Sequence, residues 1–243
     1  MIWALRLGLM AGVVLLWEWW APGGLLPTPG QVWHAGIGLA AEGRLWRAVG
    51  DSLSIYVAGM ASAALVGIPL GLAMGSFRLF GRVVDVFVFA LAATPRVAFI
   101  PLIIVLLGLG FQAKTFIVFL GAVMPVVLNT YAGVLAADRD LIEMARSTGA
   151  GRGRIWRHVV LPGALPFLAT GLRLGATIGL INTVVAELYT AVRGLGGLLA
   201  IYGNTFRMAE YFVIVAMLAT IGVIVTEAMR AVEAHLSRWR EER

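Results

Sequence analysis

Residues 143–162 read EMARSTGAGRGRIWRHVVLP, with one glutamate, four arginines and a histidine. On either side lie Thr115–Ala137 and Leu174–Ala186, which carry no charged residue at all. Charge gathered this tightly between two apolar runs marks a loop joining membrane spans, because ionised side chains are costly in hydrocarbon.

The rest of the 243-residue chain fits that reading. It is 60% apolar and 13% charged, with a mean hydropathy of +0.90, against about 25% charged residues in soluble domains. Nearly uncharged runs occur at Leu7–Trp20, Ser52–Phe77, Val97–Ala113, Thr115–Ala137, Leu174–Ala186 and Tyr211–Thr226. They predict an all-α integral membrane protein of about six transmembrane helices in one domain, 1–243, with little left for a soluble domain. Two runs are short of a bilayer, so the third span is expected to begin near Val84 and the fifth near Ala164, which brings Arg96 and Arg173 into the membrane zone. Arg6 and the apolar core after it resemble a signal peptide, but Trp17-Glu18-Trp19-Trp20-Ala21-Pro22 offers no small-x-small cleavage site, so an uncleaved first helix is expected. Gly30–Gly50 is too polar to span and predicts an amphipathic surface helix carrying Trp33 and Trp46.

Zero cysteines and three scattered histidines exclude disulfides and cysteine nucleophiles and argue against a metal site. The net charge of +6 is the basic excess of cytoplasmic loops rather than a nucleic-acid footprint. With both termini cytoplasmic, twelve of the 19 basic residues fall inside (Arg6, Arg78, Arg82, Arg139, Arg146, Arg152, Arg154, Arg157, Arg230, Arg238, Arg240 and Arg243). Five fall outside (Arg44, Arg47, Lys114, Arg193 and Arg207), which favours this orientation over its inverse.

Within the loop, about 138–162, Asp138 and Asp140 can cap a helix that Gly149 and Gly151 stop, and a second short helix from Arg154 to Val160 is expected to end before Pro162. Taken alone this is equally an amphipathic loop whose arginines hold anionic headgroups. A resemblance decides between them. Glu143, Ala145, Gly149, then nine residues, then Val159-x-Leu161-Pro162 resembles the EAA motif of the membrane subunits of ATP-binding-cassette importers, with Met144 and Val159 as mild departures. Leu26-Pro27-Thr28-Pro29, Phe99-Ile100-Pro101-Leu102, Pro125-Val126-Val127-Leu128-Asn129-Thr130 and Val185-Ala186-Glu187 are similar to stretches of the nitrate, taurine and aliphatic-sulfonate branch. Arg96 departs from it, since relatives commonly carry an uncharged pair there.

The resemblance implies a type I importer permease fold. The loop would be a coupling element that docks on a cytoplasmic ATPase through Glu143, Ala145, Arg146, Gly149, Ala150, Arg154, Trp156, Leu161 and Pro162. It also implies two ATPase copies holding ATP and Mg, a second permease copy forming a homodimer, a periplasmic or lipid-anchored solute-binding protein, and a bacterial or archaeal inner membrane. The expected function is import of a small solute such as a sulfonate, taurine or nitrate, with no catalytic residue and no cofactor bound by this chain. Gly149 is expected to allow a close approach to the partner, and Glu143 and Arg146 to pair along the helix or reach across.

Gly108-Leu-Gly-Phe-Gln-Ala-Lys114-Thr115 comes near a P-loop but has Ala113 where the second glycine belongs; a turn with a snorkelling lysine is the expectation. Candidates for the translocation pathway are Arg96, Asn129, Asn182 and Glu187, with Arg96 and Glu187 able to form an ion pair or Arg96 to meet an anionic cargo. Asn129 and Asn182 also suit interhelical hydrogen bonds. The four-residue spacing of Gly67, Gly71, Gly75 and of Gly171, Gly175, Gly179 predicts close helix packing. The alternative is an integral membrane enzyme or a gradient-driven carrier, but the clustered acids or inverted halves those need are not evident in the sequence.

Overall fold

Apolar runs that must pair every backbone N–H and C=O within hydrocarbon resolve into helices. The computed structural model describes residues 2–21, 26–190 and 193–237, and no strand occurs among them. The order is α1 (Ile2–Trp20), α2 (Pro29–Ala41), α3 (Arg44–Ser76), α4 (Arg78–Ala93), a 3₁₀ turn (Arg96–Phe99), α5 (Ile100–Leu107) and α6 (Phe111–Leu135). Then follow α7 (Arg139–Ser147), α8 (Arg152–Ile155), a π turn (Trp156–Val160), α9 (Leu161–Thr190), α10 (Leu195–Asn204) and α11 (Met208–Ser237). Pro22, Arg238, Arg240 and Arg243, used above for the first helix and the orientation, lie outside the described residues.

Among the described residues Arg44–Ser76, Phe111–Leu135, Arg152–Thr190 and Met208–Ala234 are long and apolar enough to cross a membrane. The expected third span is different. It is a helix pair, Arg78–Ala93 and Arg96–Leu107, bent by 83°. Pro95 cannot donate to the helical ladder and disfavours a helical Thr94, and Gly108 at φ 78 closes α5 before Ala113 is reached. The predicted surface helix also divides. Trp33 rides α2, but α3 begins at Arg44 and carries Trp46.

The chain separates into two compact units, one of residues 54–186 and 222–243 and one of residues 1–53 and 187–221. In the first, α6 is gripped on two faces by glycines. A Cβ at Gly67 of α3 would stand 2.9 Å from Val126, and one at Gly71 would stand 2.6 Å from Thr130. From α9, a Cβ at Gly171 would reach 3.1 Å from the Pro125 carbonyl, and one at Gly175 would reach 3.0 Å from the Ala122 carbonyl. The predicted glycine spacing is therefore a packing device that lets backbones meet where lipid supplies no hydrophobic drive. Arg173, brought into the membrane zone by the sequence reading, pairs with Glu233 at 3.2 Å, and Thr170 donates to the same carboxylate, tying α9 to α11. Lys114 does not snorkel as expected. It lies on the inward face of α6 with Ile117 and Val118 and is only 3% exposed.

In the second unit, Thr28 and Gln31 form a capping box that starts α2. Trp17 of α1 meets Phe212 of α11 at 5.6 Å between ring centroids. Arg207 lies 5.1 Å over the Tyr202 ring and pairs with Glu210.

Candidate functional site

Asp138 starts α7, its carboxylate accepting from the amides of Asp140 at 2.9 Å and Leu141 at 3.4 Å. The helix stops in a Schellman turn: Ala150 N–H bonds Ala145 O at 3.0 Å and Gly149 N–H bonds Arg146 O at 2.9 Å. Gly149 occupies the left-handed position, φ 80, and beyond its immediate chain neighbours nothing lies within 4 Å of where its Cβ would stand. Backbone conformation thus supplies a reason for glycine within this chain, where a close approach had been expected.

The second short helix does not end before Pro162. It begins at Arg152 and continues as one helix to Thr190, 39 residues in all, or about 58 Å. The π turn is what carries it past the proline. Leu161 N–H reaches back five residues to Trp156 O, so the ladder is already shifted where Pro162 has no donor to give. Trp156 pins this turn to the end of α3, its indole N–H donating to Ser76 Oγ at 2.9 Å.

The motif residues divide between two recesses. Glu143, Arg146 and Trp156 line a cleft of about 480 Å³ together with Ser76, Arg78 and Arg139. Ala145, Ala150 and Arg154 line a smaller one of about 260 Å³ with Ile155 and Val159. Among the described residues no ion pair joins Glu143 to Arg146, so the expected brace along α7 is not made. Leu161 and Pro162 belong to the helical arm itself.

Three of the four pathway candidates touch one stretch of α6. Pro125 lacks an N–H, which leaves the Gly121 carbonyl four residues back without its helical donor. Arg96 supplies the missing bond, Nη1 to Gly121 O at 2.8 Å, while its Nη2 lies 3.4 Å from Ala92 O at the end of α4. Asn182 packs over Gly121, where any Cβ would collide with its amide. Asn129 donates to Pro125 O at 2.9 Å and Asn182 to Ile178 O at 2.9 Å, so each amide bonds a carbonyl of its own helix, where interhelical bonds had been expected.

Glu187 is fully buried. Ser52 Oγ lies 2.8 and 2.9 Å from its two oxygens and donates its one proton between them, while Gly196 N–H donates to Oε2 at 2.8 Å. Ser52 in turn accepts from Leu195 N–H at 2.8 Å. The carboxylate therefore sits on the first turn of α10 and answers amides that have no partner within that helix. Gly194, at φ 92, leaves no room for a side chain, since a Cβ there would run into the Glu187 carboxylate. Sequence reasoning missed Ser52, Gly194 and Gly196 as partners of Glu187, and Glu233 as partner of Arg173. The available signal was Gly194-Leu195-Gly196-Gly197, a glycine-rich helix start seven residues after a membrane carboxylate.

Residues 67–239 match the family described as binding-protein-dependent transport system inner membrane component. The chain is 32% identical over 250 residues to the taurine transport system permease protein TauC of Escherichia coli (strain K12), covering 98% of this chain and 90% of that protein. It is 33% identical over 246 residues to the putative aliphatic sulfonates transport permease protein SsuC of the same organism, covering 98% and 93%. Among solved structures, the methionine ABC transporter MetNI in an inward-facing conformation is similar at a TM-score of 0.68 and 22% identity, over 79% of this chain and 95% of that one.

Proposed function

The chain belongs to the inner membrane components of binding-protein-dependent transport systems, and we propose that it is the permease of an ATP-driven importer for a small oxyanion, of the taurine or alkanesulfonate kind. The observation that carries the coupling part of this reading is the arm: α7, a Schellman turn, and one unbroken helix from Arg152 to Thr190. A push delivered to α7 and α8 by a partner would travel along this continuous helix, through the π turn and past Pro162 and Pro166, to the spanning part of α9. The substrate class rests on the two relatives whose names specify taurine and aliphatic sulfonates, each about one third identical across nearly the whole chain.

In this reading the loop faces the cytoplasm, both termini lie inside, and a separate polypeptide binds ATP and Mg. The near P-loop stretch fits this division of labour, since it runs into α6 and its Lys114 is buried there. A second copy of the chain completes the pathway, and a solute-binding protein delivers cargo to the outer face. Asn129 and Asn182 stand beside the pathway on α6 and α9, Arg96 supports α6 from behind, and Glu187 fixes α10.

The test is complementation. The chain, expressed with its candidate ATPase and solute-binding protein in a host lacking taurine and sulfonate uptake, should restore growth on taurine or an alkanesulfonate as sole sulfur source. Inactivating the ATPase should abolish that growth. Uptake that persists without ATP hydrolysis would move the chain to the gradient-driven carriers, and the absence of any sulfonate uptake would overturn the substrate class.

A further inference from the structure

The cleft behind α7 holds more positive charge than the coupling role uses. Arg78 at the start of α4, Arg139 at the start of α7 and Arg146 near its end all line it, against a single acid, Glu143. Among the described residues none of these three arginines takes part in an ion pair. Three guanidinium groups and one carboxylate leave two positive charges around a space of about 480 Å³. At about 30 Å³ of liquid per water molecule, that is room for roughly sixteen waters, ample for a phosphoglycerol group.

The wall of the cleft is not uniformly polar. Val134, Leu135 and Val160 form an apolar side, and Leu135 is 61% exposed. Phe77 and Leu79, on either side of Arg78 in sequence, are more exposed still. A free inorganic anion has no use for such a border, and neither has an acidic protein side chain. A molecule with an anionic head and a hydrocarbon body matches both parts, and guanidinium forks are shaped for phosphate oxygens. Basic recesses between spanning helices are suited to lipid head groups by the same electrostatics.

We propose that this cleft binds the phosphodiester of an anionic phospholipid, with Arg78 and Arg139 on the phosphate oxygens and Leu135 against the first carbons of an acyl chain. Glu143 opposes the bound charge. Occupancy would then wedge α7 against the ends of α3 and α6, placing the coupling loop under the control of the surrounding lipid. The site rests on the geometry of this chain alone, so its test uses the permease without its partners and stands or falls separately from the import reading.

The purified full-length permease is titrated with dioctanoyl phosphatidylglycerol, dioctanoyl phosphatidylcholine and inorganic phosphate, with binding read by native mass spectrometry and by thermal shift. Phosphatidylglycerol should bind at least about tenfold more tightly than either other probe, a difference of about 1.4 kcal/mol. Arg78→Gln and Arg139→Gln should each weaken it by roughly the same factor, and Glu143→Gln should tighten it. Arg78→Lys keeps the charge and should retain more affinity than Arg78→Gln, which separates lost binding from lost fold. Equal binding of the two lipids, or unchanged affinity in both glutamine variants, overturns the proposal. Phosphate binding as tight as phosphatidylglycerol makes the cleft a free-phosphate site and overturns it too.

Discussion

Arg96 offers a test in which two changes that are each harmful should cancel. Its Nη1 stands 2.8 Å from the Gly121 carbonyl, the one acceptor in α6 that Pro125 deprives of its helical donor. Replacing Arg96 by alanine removes a charge-assisted bond and leaves that carbonyl without it, a loss of about 1.5–3 kcal/mol. Replacing Pro125 by alanine restores an N–H four residues beyond Gly121, so the carbonyl is satisfied from within the helix. In that background Arg96→Ala should cost under about 1 kcal/mol, because the bond it removes has become redundant. The expected coupling between the two sites is therefore about 1–2 kcal/mol, well above the roughly 0.3–0.5 kcal/mol scatter of independent sites.

The measurement is a double-mutant cycle on the purified protein, unfolded with sodium dodecyl sulfate in mixed micelles, with uptake measured in parallel. If Arg96 supports α6, Pro125→Ala should recover both stability and uptake in the Arg96→Ala protein. If Arg96 instead meets an anionic cargo, uptake should stay impaired whatever stands at 125. Equal losses in the two backgrounds would refute the reasoning, since they would show that the Gly121 carbonyl is not what Arg96 serves.

Other positions give equally definite expectations. Gly149→Ala should weaken stimulation of the partner ATPase and fray α7, because a left-handed L-residue costs about 1–2 kcal/mol; hydrolysis rates in the reconstituted complex check this, and unchanged stimulation would mean that the Schellman turn does not hold the coupling geometry. Gly194→Ala drives a methyl group into the Glu187 carboxylate and should destabilise by at least the roughly 1–3 kcal/mol of an overpacked core, whereas Glu187→Gln keeps an acceptor for Gly196 and should cost less than Glu187→Ala in the same unfolding assay. Gly71→Val should separate α3 from α6 and lower the thermal inactivation midpoint, while Gly163→Ala, with open space at its Cβ, should not. For orientation, Ser147→Cys should be shielded from an impermeant outside thiol reagent and Thr205→Cys should react, in a chain with no cysteine of its own.

What the sequence made legible follows from how far each interaction reaches along the chain. Glycines every four residues announce a helix face by themselves, so the contact of α3 and α9 with α6 could be read without knowing the partner. Asp138, Gly149 and Gly151 act on their immediate neighbours, and the start and stop of α7 were correspondingly plain. Pro162 was misleading for the same local reason. Proline ordinarily ends a helix, and nothing in residues 156–160 declares that a π turn will absorb the missing donor. Ser52 and Glu187 are 135 residues apart, and no periodicity connects them. Arg96 lies between these cases. Its partner is a backbone carbonyl, invisible in a sequence, yet Pro125 identifies by arithmetic which carbonyl must look elsewhere.

These contacts also distinguish the interlocked helices of the first unit from the bent pair beside them. The close approaches at Gly171 and Gly175 lock α9 to α6, and those at Gly67 and Gly71 lock α6 to α3. The π turn joins α8 to α9, and so to this three-helix block, within one continuous helix. The bent pair α4 and α5 is joined differently. At Thr94-Pro95 its backbone is broken, and Arg96, the first residue beyond the break, is bonded both to the last turn of α4 and to α6. A guanidinium can pivot on two carbonyl oxygens in a way that interlocked backbones cannot. Arg96 thus stands where the three-helix block meets a segment already interrupted by an 83° bend.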